Sequence, residues 1–168
     1  MCLGAASPII RNNRFISNQA LQESEGGGLR HGGGLFAYES GALIQGNLLE
    51  GNYAQHGGGG IGAEEYFGVI ENNRIVGNEA HWGGGINIWS HRDGFPLPIV
   101  RNNLVLNNFY HWDGRGGGMI LVFSSGLVVN NVIFGNQAYS GGGIEILSIA
   151  SPPAAIRNNI LWGNIATN

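Results

Sequence analysis

The stretch Ile70-Glu71-Asn72-Asn73-Arg74-Ile75-Val76-Gly77-Asn78, followed five residues later by Gly83-Gly84-Gly85-Ile86, decides the fold because it recurs. Aligned on the second asparagine of the Asn-Asn pair, the chain contains copies at Ile10 to Asn18, Ile44 to Asn52, Val100 to Asn108, Val128 to Asn136 and Ile156 to Asn164. The aligned asparagines are Asn13, Asn47, Asn73, Asn103, Asn131 and Asn159, at spacings of 34, 26, 30, 28 and 28 residues. Five residues after each stands another asparagine, from Asn18 to Asn164. Glycine triplets follow the first five copies, beginning at Gly32, Gly58, Gly83, Gly116 and Gly141. Self-similarity at such a period means stacked supersecondary units that share one core.

The short-range pattern says what the unit is. After each triplet, apolar residues alternate, as in Ile61/Ala63, Ile86/Ile88 and Met119/Leu121, and a period of two is a strand signal. A second strand ends near Ile10, Ile44, Ile70, Val100, Val128 and Ile156, and a third carries Phe15, Leu49, Ile75, Val105, Ile133 and Leu161. No segment keeps helical periodicity. Three short strands per turn of roughly 28 residues predict an all-β fold, a right-handed parallel β-helix of about five and a half coils forming a single domain over residues 1–168. In such a stack, like asparagines lie one interstrand spacing of about 4.8 Å apart. They satisfy one another and the turn backbone, so the ladder asparagines are read as structural. The glycines supply positive φ and close backbone approach. No copy continues as a phosphate-binding Gly-Lys-Ser or Gly-Lys-Thr loop.

Composition narrows the partners. The chain has 31 glycines, a net charge of −3 and eight basic residues, all arginine. With eleven acids against eight arginines and no polybasic surface expected, neither nucleic acid nor anionic lipid is an expected partner. No apolar run is long enough for a helical membrane span. No signal peptide is visible, and an extracellular or cell-surface location is expected only if the chain is part of a longer exported protein. Cys2 is the lone cysteine, so no internal disulfide forms. The triplets run into apolar residues rather than aspartate, against a calcium-binding β-roll. Thr167 is the single threonine, against an ice-binding threonine array.

Over Pro8 to Asn164 the chain resembles the right-handed parallel β-helix proteins of the pectin-lyase-like superfamily. Phe15-Ile16-Ser17-Asn18 and the Gly-Gly-Gly-Ile segments are similar to the Phe-x-x-Asn and Gly-Gly-Ala-Ile repeats of polymorphic outer-membrane autotransporter passengers. The resemblance implies two catalytic patterns for acidic polysaccharides: a calcium-holding aspartate cluster with an arginine base, or several close aspartates. This chain has two aspartates, Asp93 and Asp113, in separate insertions.

Residues the repeat does not need are the functional candidates. The paired positions before the triplets place Arg30, His31, His56, His81, Trp82, Arg115 and Tyr139 along one edge, with Tyr53, Tyr110, His111 and Trp112 near it. Aromatic faces stack on sugar rings, and arginine or histidine holds carboxylates or sulfates. The leading expectation is a non-catalytic module that binds a polysaccharide or another surface through this row. Alternatives are a lyase or hydrolase, with His111 or Arg115 as base and Asp113 as partner, and a purely structural solenoid. His56 and His81 stack without a third ligand, so no metal site and no cofactor is expected. An apolar outer face of Phe36, Tyr38, Trp89, Ile120, Val122 and Leu147, together with open ends, leads to the expectation of a homo-oligomer.

Overall fold

The computed structural model describes residues 7–21, 31–90, 96–122, 125–147 and 153–168. These residues build a parallel β-solenoid with no helix among them. The first sheet stacks Ile9–Arg11, Leu43–Gln45, Val69–Glu71, Ile99–Arg101, Leu127–Val129 and Ala155–Arg157. The second stacks Arg14–Ile16, Leu48–Glu50, Arg74–Val76, Leu104–Leu106, Val132–Phe134 and Ile160–Trp162. Each strand pairs in parallel with its counterpart one coil away, in the register of the sequence repeat: Ile44 faces Ile10 and Ile70, and Ile75 faces Leu49 and Val105. A fourth sheet holds the strands after the glycine triplets, Leu35–Tyr38, Ile61–Glu64, Ile86–Trp89, Met119–Val122 and Ile144–Leu147.

Each turn has four strands rather than three. The additional third sheet consists of Gln19–Ala20, Tyr53–Gly57, Glu79–Trp82 and Phe109–Arg115, and Gln137–Ala138 pairs with Ile165–Ala166 in the last two coils. These strands begin directly after the second ladder asparagine, where a polar, aromatic segment carries no alternation long enough to announce a strand.

The core is a column of inward side chains. Ile44, Leu49, Ile61, Ile70, Ile75, Ile86 and Ile133 are fully buried, while the inward residues of the last coil, Ile156 and Leu161, are exposed. Two asparagine ladders run beside the column. Asn103 Oδ1 accepts from the backbone N–H and the Nδ2 of Asn73, and its own Nδ2 donates to Asn131 Oδ1 and to the Ile70 carbonyl, all at 2.9–3.0 Å. Asn13, Asn47, Asn131 and Asn159 repeat this geometry, and Asn18 to Asn164 form a second ladder. The ladder residues of the four middle coils are buried, so each amide meets donors and acceptors that water cannot reach. The partner of each Asn-Asn pair takes the bend itself: Asn72, Asn102, Asn130 and Asn158 sit at φ 54–58°. In the glycine triplets the first residue has positive φ, and a Cβ on the second would lie 2.2–2.4 Å from a carbonyl oxygen of a neighbouring strand.

The six residues of the expected apolar outer face differ in exposure. Ile120 and Val122 are buried, and Phe36, Tyr38, Trp89 and Leu147 are half-buried.

Candidate functional site

The third sheet carries most of the candidate row, and its register explains the site. Ala80 pairs with Ala54 and Tyr110, and Trp82 with Gly57 and Arg115. Between these anchors lie one residue in the Glu79–Trp82 strand, two in the Tyr53–Gly57 strand and four in Phe109–Arg115. The surplus is a bulge of His111, Trp112, Asp113 and Gly114, and bulges re-aim side chains while the ladder resumes beyond them. The segment read as an inserted loop is therefore a continuous strand with a raised centre.

Trp112 stands at the tip, 68% exposed and at φ 58°, a conformation a bulky residue adopts only when its surroundings impose it. Asp113 Oδ1 lies 3.2 Å from His81 Nε2. His111 stacks on Tyr53 at 5.2 Å, meets the Gln55 carbonyl through Nε2 at 3.2 Å and places Nδ1 3.4 Å from Glu79 Oε1. Trp112 packs edge-on against both imidazoles, 4.6 Å from His111 and 5.7 Å from His81. Partial burial, and then the Glu79 carboxylate, raise the Tyr53 hydroxyl above its ordinary pKa, so it stays a neutral hydrogen-bonding group.

A second cluster occupies the corner between the third and fourth sheets. His31, Gly57, Trp82, Arg115 and Ser140 form one cross-strand row, the register read from the positions just before the triplets. His31 is nearly enclosed, against Phe36 at 5.8 Å, Trp89 at 6.0 Å and His56 at 6.4 Å, with Nε2 4.0 Å from Glu64 Oε2. Burial, and then His56, push its pKa down to about 4, so the imidazole is neutral at physiological pH. Asn87 reaches over Gly57 to within 3.5 Å of His31 Nδ1. Arg115 Nη1 donates to Glu145 Oε1 at 2.8 Å, and Ser140 donates to the same oxygen.

The candidates thus divide. His81, His111, Trp112 and Asp113 share the bulged face, whereas His31, His56 and Trp82 belong to the corner cluster, where Trp82 meets Trp89 at 6.5 Å. Tyr110 turns toward Thr167, 3.1 Å away, and Tyr139 is exposed one coil on. Arg30 and Asp93 lie outside the described residues. Of the proposed catalytic group, Asp113 meets His81, His111 meets Glu79 and Gln55, and Arg115 meets Glu145. Among the described residues, no three His, Cys, Asp or Glu side chains are grouped to hold a metal ion. The sequence reading missed Glu79, Asn87 and Glu145. Each occupies an outward strand position where a polar residue is ordinary, so no local signal marks it.

A family model described as the right-handed β-helix region matches residues 1–167. No curated protein and no solved structure matches the chain.

Proposed function

The chain belongs to the right-handed β-helix family, and on that scaffold we propose that it is a non-catalytic binding module for an uncharged polysaccharide, with the bulge of the third sheet as its contact surface. The observation that carries the proposal is Trp112, a large apolar ring held in solvent by a strained, braced bulge rather than folded onto the protein. An indole fixed in this way is a stacking platform for a pyranose ring and loses little conformational freedom on binding. The His81–Asp113 pair and the Tyr53 hydroxyl supply hydrogen-bonding groups for sugar hydroxyls beside it. An uncharged ligand fits the local charge: Asp113 and Glu79 are carboxylates beside the platform, and Arg115, three residues along the same strand, is engaged by Glu145.

Catalysis is less well supported, because general acid and base groups must converge on one substrate and His111, Asp113 and Arg115 each face a different partner. Affinity electrophoresis through gels containing neutral β-glucans, xylan, mannan or polygalacturonate tests the proposal. Retardation by a neutral polymer, lost in Trp112→Ala, is the expected result. Retardation by polygalacturonate alone, or release of unsaturated sugars from it, contradicts it.

A further inference from the structure

The outward faces of the first two sheets carry a pattern that glycan binding at the bulge does not use. On the second sheet, alternation points Arg14, Leu48, Arg74, Leu104, Val132 and Ile160 outward in one row, and Ile16, Glu50, Val76, Leu106, Phe134 and Trp162 in the other. Nine of these twelve positions are apolar. Ile160 and Trp162 are the most exposed, at 63% and 69%, and Trp162 stacks flat on Phe134 at 4.8 Å. A monomeric surface seldom leaves so continuous an apolar strip in water.

Beside the strip runs a basic ridge. Arg11, Arg101 and Arg157 share one outward row of the first sheet with Gln45, Glu71 and Val129, and Arg14 and Arg74 stand just across the bend, where Asn12, Asn72, Asn102, Asn130 and Asn158 are also exposed. Arg101 pairs with Glu71, whereas Arg11, Arg14, Arg74 and Arg157 make no ion pair among the described residues. The described carboxylates lie mostly elsewhere: Glu64, Glu79, Asp113 and Glu145 are on the third and fourth sheets. Among the described residues, the guanidinium groups without an ion pair therefore collect along one edge of the apolar strip.

We propose that this side of the solenoid docks on an anionic lipid bilayer. Exposed aliphatic side chains and an indole suit the headgroup boundary, and guanidinium groups flanking them suit acidic headgroups. A polybasic edge is drawn to an anionic leaflet and released by salt. A protein partner would explain the apolar strip, but not why unpaired arginines line its length. Trp112 lies on the third sheet, outside the rows of the first and second sheets proposed to meet lipid, so the bulge keeps its own ligand.

Co-sedimentation of the full chain with large unilamellar vesicles tests the proposal, using pure phosphatidylcholine against phosphatidylcholine with about a third phosphatidylserine. The expected result is binding to the serine-containing vesicles that falls at least tenfold in pure phosphatidylcholine, at high salt, and in Arg11→Gln/Arg14→Gln/Arg74→Gln/Arg157→Gln. The variant Ile160→Ser/Trp162→Ser loses binding as well. These residues are exposed, and an unchanged circular dichroism spectrum confirms that the variants fold. Absence of binding to the anionic vesicles, or binding that survives removal of the four arginines, overturns the proposal. Trp112→Ala leaves vesicle binding unchanged, so this test and that of glycan binding fail separately.

Discussion

Asp113 and His81 lie on adjacent coils, and their 3.2 Å contact ties the tip of the bulge to the strand below it. The pair is largely exposed on the Asp113 side, so its value is positional rather than energetic. Asp113→Ala is expected to leave the thermal midpoint unchanged while weakening polysaccharide binding about tenfold, or ~1.4 kcal/mol, because Trp112 loses its brace. Paired thermal melts and binding isotherms check this. A lowered midpoint with unaltered affinity would assign the pair to stability instead.

The asparagine ladder is expected to be the most sensitive polar element. Asn103→Ala leaves the buried backbone N–H and Nδ2 of Asn73 without their shared acceptor and takes a donor from the Ile70 carbonyl, while Asn131 Oδ1 keeps the backbone N–H of residue 103. At roughly 1–3 kcal/mol for each unsatisfied group, the loss is about 4 kcal/mol or more. Asn13→Ala, at the exposed end of the same ladder, costs under about 1 kcal/mol because water takes over its contacts. Urea unfolding of the two variants gives the comparison, and equal losses would mean that burial does not set the ladder's contribution.

His31 makes stability depend on pH. The unfolded imidazole takes up a proton near pH 6.5 and the folded one only near about 4. Stability is therefore full above pH 6.5, declines as the pH falls toward 4, and has lost about 3 kcal/mol below that. His31→Phe keeps a ring against Phe36 and removes this contribution. The slope between pH 6.5 and 4, measured by chemical denaturation, should flatten in the variant. An unchanged slope would place the titration elsewhere.

Gly57 is a glycine because of two neighbours rather than its backbone. A Cβ there would lie 2.0 Å from Asn87 Nδ2 and 2.6 Å from His31 Nδ1. Gly57→Ala is expected to cost about 1–3 kcal/mol as overpacking, and Asn87→Ala in the same chain to recover most of it. A double-mutant cycle reads the coupling directly. Additive losses would show that the crowding is relieved some other way.

How much of this was readable before the structure depended on whether a residue repeats. The ladder asparagines, the glycine triplets and the inward isoleucines recur at matching positions, and stacking converts recurrence into contact. Coil order, register and core followed from that. The third sheet did not, because its strands differ in length between coils and carry no common pattern. The row from His31 to Arg115 was legible as a register, yet two surplus facts were not. A bulge swings Asp113 toward His81 rather than His111, and Asn87 crosses a coil to reach His31. Both depend on where an irregular strand rejoins its ladder, which spacing along the chain does not encode. On the fourth sheet Ile120 and Val122 are buried while Phe36, Tyr38, Trp89 and Leu147 stay half-buried, a difference that alternation along a strand does not encode.

The measurement that bears most directly on Trp112 as the contact surface is hydroxyl-radical footprinting with and without the neutral polysaccharide that retards the chain. The account predicts strong protection of Trp112, weaker protection of Tyr53 and His81, and no change at Trp162 on the second sheet. Full reactivity of Trp112 in the bound state, or protection centred on Trp162, would contradict it.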